Sequence, residues 1–200
     1  FEVFSNNKKL ISNSGYYSDN KNKLNKLSKS TALQNTLSIE DYSSSDFIKS
    51  SDNFLIQKDL KIENKNIVFE KNYWKISASH NGYFKKFKLD HHREIEFYPE
   101  QFKFIGHDKI VRKDPDKQIK FDIRFHLHPD SKVMKTQNNK FILIQLEDEG
   151  WQFSCDNYDI NIDNGLYFGN KNSYQENQNI FISGMNNESE QIIKWEIIKI

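Results

Sequence analysis

The sequence lacks most of the features that would declare a chemistry outright. Its single cysteine, Cys155, excludes an internal disulfide framework and leaves the redox compartment open. No phosphate-cradling glycine loop and no serine, cysteine or lysine nucleophile signature is present. Proline and glycine are too sparse and scattered to make an interdomain linker, and no internal repeat is visible. No apolar run approaches the ~20 residues of a membrane span. An excess of one charge is missing too: 29 Lys and Arg against 28 Asp and Glu leave a net charge of +1. That balance gives no electrostatic reason to expect nucleic acid or an anionic membrane as partner, although local lysine-rich patches could meet an acidic polymer. Apolar residues are scarce as well, at 36%, below the usual ~45–50% with glycine counted.

What is present argues for a folded chain. Aromatics reach 14%, and with so low a net charge that supply speaks against disorder. Two hundred residues make one domain with a substantial core. The chain starts at Phe1 without an initiator methionine, and FEVF reads as mid-strand, so the expectation is the C-terminal piece of a longer protein. Any signal peptide would lie upstream.

Residues 1–65 read as a less regular opening region and 66–200 as regular strands. Phe1–Ser14 reads as a hairpin turning at Ser5–Lys8, and Tyr16–Ser30 as a loop or ragged helical turn. Thr31–Ile39 has strand character, and Asp41–Asn53 is a Ser/Asp-rich loop. Further on, Tyr73–Ala78, His92–Phe97, Phe102–Ile105, Ile119–Pro129, Lys140–Leu146, Trp151–Cys155, Tyr158–Ile162, Asn179–Ser183 and Ile192–Ile200 read as strands. Turns are expected at His80-Asn81-Gly82, Pro99-Glu100, Gly106–Asp108 and Asn164-Gly165. Lys140–Leu146, apolar on both faces, is the candidate central strand. Many short strands without a long amphipathic helix predict an all-β fold, an antiparallel β-sandwich.

The chemistry-bearing residues concentrate in two stretches, ASHNGYFKKFKLDHHREIEF (78–97) and IKFDIRFHLHP (119–129), which hold five of the six histidines. Alternation in the second puts Ile119, Phe121, Ile123, Phe125 and Leu127 on one face. Lys120, Asp122, Arg124, His126 and His128 share the other. His126-x-His128 has a spacing that a metal site or an acid/base pair would use, yet no nearby acid or cysteine completes a ligand set. A cupin would need a glycine just before and a glutamate soon after, where Lys120 and Lys132 stand. A polar strand face in solvent or under a neighbouring domain explains the pair as well. His80 and Tyr83 flank a tight turn that either presents them to a cleft or merely caps and packs it. His91-His92-Arg93 offers a cation and two imidazoles suited to a carboxylate or sulfate, or simply a charged strand start.

In order along the chain, SHNGY, HHREIEF, FDIRFHLHP, EGWQFSC and GLYFG resemble the C-terminal β-sandwich region of the heparinase II/III family. FEVFSNNKKLISNSG is similar to that family's segment from a His-x-Asp motif to an Asp-x-Gly or Asn-x-Gly turn. STALQNTLSI is similar to its His-Asn-Thr or His-Ser-Thr strand. No one motif is very specific, but the ordered set is, and it covers nearly the whole chain. The resemblance implies the C-terminal part of a larger protein, an α/α toroid plus a β-sandwich, with an acidic polysaccharide in the cleft between them. It also implies β-elimination at a uronic acid residue and export to the cell envelope or periplasm. A toroid tyrosine with an asparagine or histidine, and a histidine just before Phe1, would then carry the catalysis, leaving no certain catalytic residue in this chain. Candidates for the substrate cleft are His80, Tyr83, His92 and Arg93. Arg124, His126 and His128 are candidates for supporting or domain-interface roles.

One departure bears on cofactors. Family members with zinc take it with the upstream histidine, an aspartate of the Asp-x-Gly turn and the histidine of the His-Asn-Thr strand. Here those last two positions read Asn13 and Gln34, both poor zinc ligands, so no cofactor is expected. The competing reading is a non-catalytic carbohydrate-binding or structural module, supported by the aromatic content and not separable by architecture.

Overall fold

A computed structural model describes residues 1–50, 53–56, 60–169 and 173–200. Strand β1 (Val3–Ser5) turns through Asn6 and Asn7 into β2 (Lys8–Ile11). Both asparagines have positive φ, the requirement of a two-residue type I′ hairpin turn. Helix α1 (Lys23–Ser28) follows, its first turn capped by the Asn22 side chain, which accepts from the Leu24 N–H. A 3₁₀ turn at Thr31–Leu33 then leads to β3 (Leu37–Ile39), so the expected strand over Thr31–Ile39 is half turn and half strand. The expected loop Asp41–Asn53 likewise contains β4 (Phe47–Ser50), paired with β5 (Asn53–Ile56); residues 51 and 52 lie outside the described set.

Regular strands begin with β6 (Ile62–Glu70), β7 (Tyr73–His80) and, after the short helix α2 (Phe84–Phe87), β8 (Leu89–Tyr98) and β9 (Lys103–Arg112). Then come β10 (Ile119–His126), β11 (Lys132–Lys135), β12 (Phe141–Leu146), β13 (Glu149–Cys155), β14 (Ile160–Tyr167), β15 (Gln175–Asn186) and β16 (Glu190–Lys199). The large sheets are antiparallel: eight strands in the order β11-β12-β13-β16-β9-β8-β7-β6, and four in the order β14-β15-β10-β3. They pack face to face. Phe125 of β10 lies 4.8 Å, ring centre to ring centre, from both Phe153 of β13 and Trp195 of β16. Phe121, Ile123, Leu127, Ile180, Ile182, Ile193 and Ile197 complete that interior, all fully buried. The expected all-β antiparallel sandwich is what forms.

Three expectations need correction. Gly106–Asp108 is the middle of β9, not a turn. A Cβ on Gly106 would sit 1.9 Å from the Trp195 ring, so the glycine makes room for an indole across the strand pair. Asn164-Gly165 runs inside β14, opposite Gln178 and Asn177; a Cβ on Gly165 would meet the Asn177 amide at 2.7 Å. Lys140–Leu146 yields β12, which lies one strand from the sheet edge, between β11 and β13.

The register of β6 to β9 and β16 sets what shares the inner face. One row holds Phe69, Trp74, Phe97, Phe104 and Ile197, and the next Ile67, Ile76, Ile95, Gly106 and Trp195. Above them stand Ala78, Arg93, Asp108 and Ile193, then Ile62, His80, His91 and Ile110.

Candidate functional site

Asp108 stands at the centre of the two upper rows. It is fully buried and accepts four hydrogen bonds, each from a group that strand alternation turns inward. Oδ1 receives His91 Nε2 at 2.6 Å and Arg93 Nε at 2.7 Å; Oδ2 receives Arg93 Nη2 at 3.0 Å and Trp195 Nε1 at 2.8 Å. A carboxylate so supplied stays charged in the interior. Burial works against it, but Arg93 and the donating His91 outweigh that and hold its pKa well below the usual carboxylate range.

The chain of donors continues outward. His91 Nδ1 lies 3.1 Å from His80 Nε2, and His80 Nδ1 accepts from the Gly82 N–H at 3.2 Å. Only one proton arrangement satisfies every contact: Gly82 N–H to His80, His80 Nε2–H to His91, His91 Nε2–H to Asp108. Both imidazoles are neutral in it. Their pKa values follow, lowered first by burial, that of His80 to about 3. Arg93 reaches further through Nη1 to the Asn35 carbonyl.

Asn35 is the second hub. Its amide nitrogen donates to the Phe1 carbonyl at 2.9 Å and to Asn13 Oδ1 at 3.1 Å, and its Oδ1 accepts from the His126 N–H at 2.6 Å. It thus ties the β1-β2 hairpin and β10 to the Arg93–Asp108 pair. Beside these hubs opens a groove of about 280 Å³, lined by Phe1, Thr36, Ile62, Ile76, His80 and Arg93 among others.

Of the cleft candidates, the structure brings His80 and Arg93 together in this groove. Tyr83 is buried beneath the turn, its hydroxyl donating to the Leu37 carbonyl at 2.8 Å. His92 points to the opposite face, beside Glu94, His107 and Lys109. His126 is buried, with Nε2 3.0 Å from the Ala32 carbonyl, and burial lowers its pKa to about 4. Its Nδ1 has no partner among the described residues. Arg124 pairs with Asp122 at 3.4 Å, and His128 packs edge-on against Tyr167. On the polar side of β10, His126 is therefore the residue covered by the segment around residues 31–35.

Sequence reasoning named His91 only beside His92 and Arg93, without a place in the cleft, and passed over Asp108 and Asn35. A signal for His91 existed: Leu89, His91, Arg93, Ile95 and Phe97 share one parity, so an inward Arg93 requires an inward His91. Asp108 was hidden by reading Gly106 as a turn.

The zinc-type positions can be tested on their contacts. Asn13 Oδ1 is taken up by Asn35, while Gln34 donates from Nε2 to the Ser28 carbonyl at 3.3 Å. The two amides are held by different neighbours, and neither supplies an anionic or imidazole donor. Among the described residues no group of three or more His, Cys, Asp or Glu is placed to hold a metal ion. No helix among them is long and apolar enough to cross a membrane.

Comparison with known proteins bears on the family and the fold. A family model described as "Heparinase II/III-like, C-terminal" matches residues 1–196. The heparan sulfate lyase HepC from Pedobacter heparinus superposes with a TM-score of 0.78 at 14% identity, covering 99% of this chain and 29% of that one. A heparinase III gene product gives 0.73 at 13% identity over 99% of this chain and 29% of its own. Another heparinase III gives 0.68 at 15% identity, over 100% of this chain and 28% of its own. These likenesses establish the shared fold, and the chain spans under a third of each of those proteins. No curated protein matches by sequence.

Proposed function

The chain belongs to the heparinase II/III-like C-terminal family, and from that premise we propose that it forms one wall of the substrate cleft of a polysaccharide lyase. The substrate class is a uronic-acid-containing glycan such as a glycosaminoglycan, cleaved by β-elimination. That reaction needs a base for the proton beside the carboxylate, a group that neutralises the carboxylate, and an acid for the leaving oxygen. The cluster around Asp108 supplies none of these freely, because both nitrogens of His80 and His91 are engaged and Asp108 balances the charge of Arg93. Its part is to hold the groove wall rigid and charge-neutral. The reacting groups come from a helical domain earlier in the same polypeptide and from a histidine just before Phe1.

The observation that carries this reading is the inner sheet face beside the groove. Ile67 and Phe69 are 73% and 75% exposed, and Ile62, Trp74 and Ile76 are exposed with them. So large an apolar patch marks an interaction surface, and here its occupant is the proposed upstream domain. The setting is the periplasm or cell envelope, where such polymers are met. At Asn13 and Gln34 the domain works without zinc, and stoichiometric zinc in the full-length protein would refute that part. A non-catalytic carbohydrate-binding module is the second reading, favoured by the row of rings Phe69, Trp74, Phe97 and Phe104 on the same face, stacked in two pairs with a tilt between them. Incubating the full-length protein with a panel of uronate polysaccharides and following the ultraviolet absorbance of unsaturated product separates the two. Product from one polymer upholds the lyase, and a flat trace from folded protein across the panel favours the module.

A further inference from the structure

The turn that His80 fixes carries a second feature, which the groove described above does not use. Residues 84–88 read FKKFK, and Lys85, Lys86 and Lys88 line a cavity of about 650 Å³ together with Tyr42, Ser45 and Asn81. None of the lysine ion pairs among the described residues involves these three. Lys86 lies over the Tyr42 ring, and Tyr42 is 49% exposed. A second groove shares Tyr42, Ser43, Ser45 and Asp46 with this cavity and continues along Lys23 and Lys26 of α1. The combined track presents five lysines against Asp41 and Asp46, on a chain whose net charge is +1. The positive excess is local.

The track is also preformed. The Ser44 N–H donates to Thr31 Oγ1 at 2.9 Å, and the Thr31 N–H donates to Ser43 Oγ at 3.1 Å. At Gly82 a Cβ would stand 2.4 Å from the Ser44 carbonyl, so the glycine is what lets the 43–45 loop close onto the turn. Tyr83, anchored to Leu37, holds the other side. With the backbone frame already in place, only the side chains remain to be ordered when an anion arrives.

We propose that this track is a binding site for acidic polysaccharide, separate from the groove at His80 and Arg93. Lys85, Lys86 and Lys88 take sulfate or carboxylate groups of the polymer, and the glycan runs past the exposed edge of Tyr42. The identity of the polymer rests on the lyase reading above; the site itself rests on the lysines and the frame. The site and the His80 groove both border Leu60, so one long glycan can span both.

The test is titration calorimetry of the full-length protein with a size-defined heparin oligosaccharide, its desulfated counterpart, and a DNA single strand of equal charge, at low and physiological salt. The variant is Lys85→Ala, Lys86→Ala and Lys88→Asn together, asparagine because Lys88 has a φ of 53°. The control removes the same charge elsewhere, with Lys65→Ala, Lys71→Ala and Lys140→Ala. The triple variant is expected to weaken oligosaccharide binding roughly tenfold to a hundredfold at low salt, with a shallower salt dependence, while the control stays near wild type. Loss of binding on desulfation assigns the lysines to sulfate and retention assigns them to carboxylate; either upholds the site. Wild-type affinity in the triple variant, an equal loss in the control, or equally tight lysine-dependent binding of the DNA would overturn the proposal. If the triple variant does not fold, Lys85→Ala and Lys86→Ala singly decide, each with a loss of a few-fold or none. Lysine-dependent binding without unsaturated product sinks the lyase and keeps the site, whereas product with lysine-independent binding does the reverse.

Discussion

The inner face of the eight-stranded sheet is one surface with two fates. Towards β16 and β13 it carries Trp195, Phe153 and Ile197, all fully buried under the four-stranded sheet. Towards β6 and β7 the same rows continue as Ile67, Phe69, Trp74 and Ile76, and they stand open. Alternation in the sequence is the same in both halves. It tells which side chains share a face and is silent on whether anything covers that face. The boundary between the halves is polar: Arg93 and His91 both donate to buried Asp108, and His91 in turn meets His80 at the groove.

The comparison breaks most violently at its tightest contact. Gly106→Val forces a side chain into the Trp195 ring, with an expected loss of about 4 kcal/mol or failure to fold, read by denaturant unfolding. A cost under about 1 kcal/mol would mean that the indole is free to move. At the polar boundary, Asp108→Asn leaves Arg93 without its counter-charge, with an expected loss of about 3 kcal/mol. Near-neutral behaviour there would mean that solvent reaches the pair.

Acid should act at the same boundary. His80, His91 and His126 are held neutral in the fold, with pKa values below the ordinary 6.5. As pH falls below about 6.5 the unfolded chain takes up protons that the folded one refuses, so stability drops from there downward. Each such imidazole contributes up to about 1.4 kcal/mol per pH unit. The lowered Asp108 adds stabilisation that is present above its unfolded pKa and lost as pH falls on through its folded one. Unfolding midpoints between pH 7.5 and 4.5 should therefore decline steadily, and a flat profile would show the histidines to be solvated. The smallest effect belongs to the open half. Ile67→Ser with Phe69→Ser should change the stability of this 200-residue chain by no more than about 0.5 kcal/mol, while weakening the full-length protein.

Much of this was legible in the sequence. The period-2 runs gave the strands of the sandwich, and the phase of Ile193, Trp195 and Ile197 gave the buried side of the last one. Two glycines misled for one reason: Gly106 and Gly165 serve close packing inside strands, and a lone sequence does not show the partner side chain that needs the space. The site was half visible. His80 and Arg93 were readable from their motifs, whereas the carboxylate that organises them sits 15 residues beyond Arg93 on a strand that had been cut at its glycine. Tyr83 looked like a cleft residue because its turn is sharp; a hydroxyl partner 46 residues away, at Leu37, has no local signature. Asn35, one neutral amide joining three elements, left no trace beyond its place in Gln34-Asn35-Thr36.

The most direct measurement is hydroxyl-radical footprinting of Phe69 and Trp74 in this 200-residue chain and in the full-length protein, with buried Trp195 as the internal reference. Heavy labelling of both rings in the shorter chain and strong protection in the longer one is the expected result, since the open half of the sheet is proposed to receive the upstream domain. Equal labelling in the two, with Trp195 protected in both, would contradict it and leave the exposed aromatic rows as a surface for something outside the polypeptide.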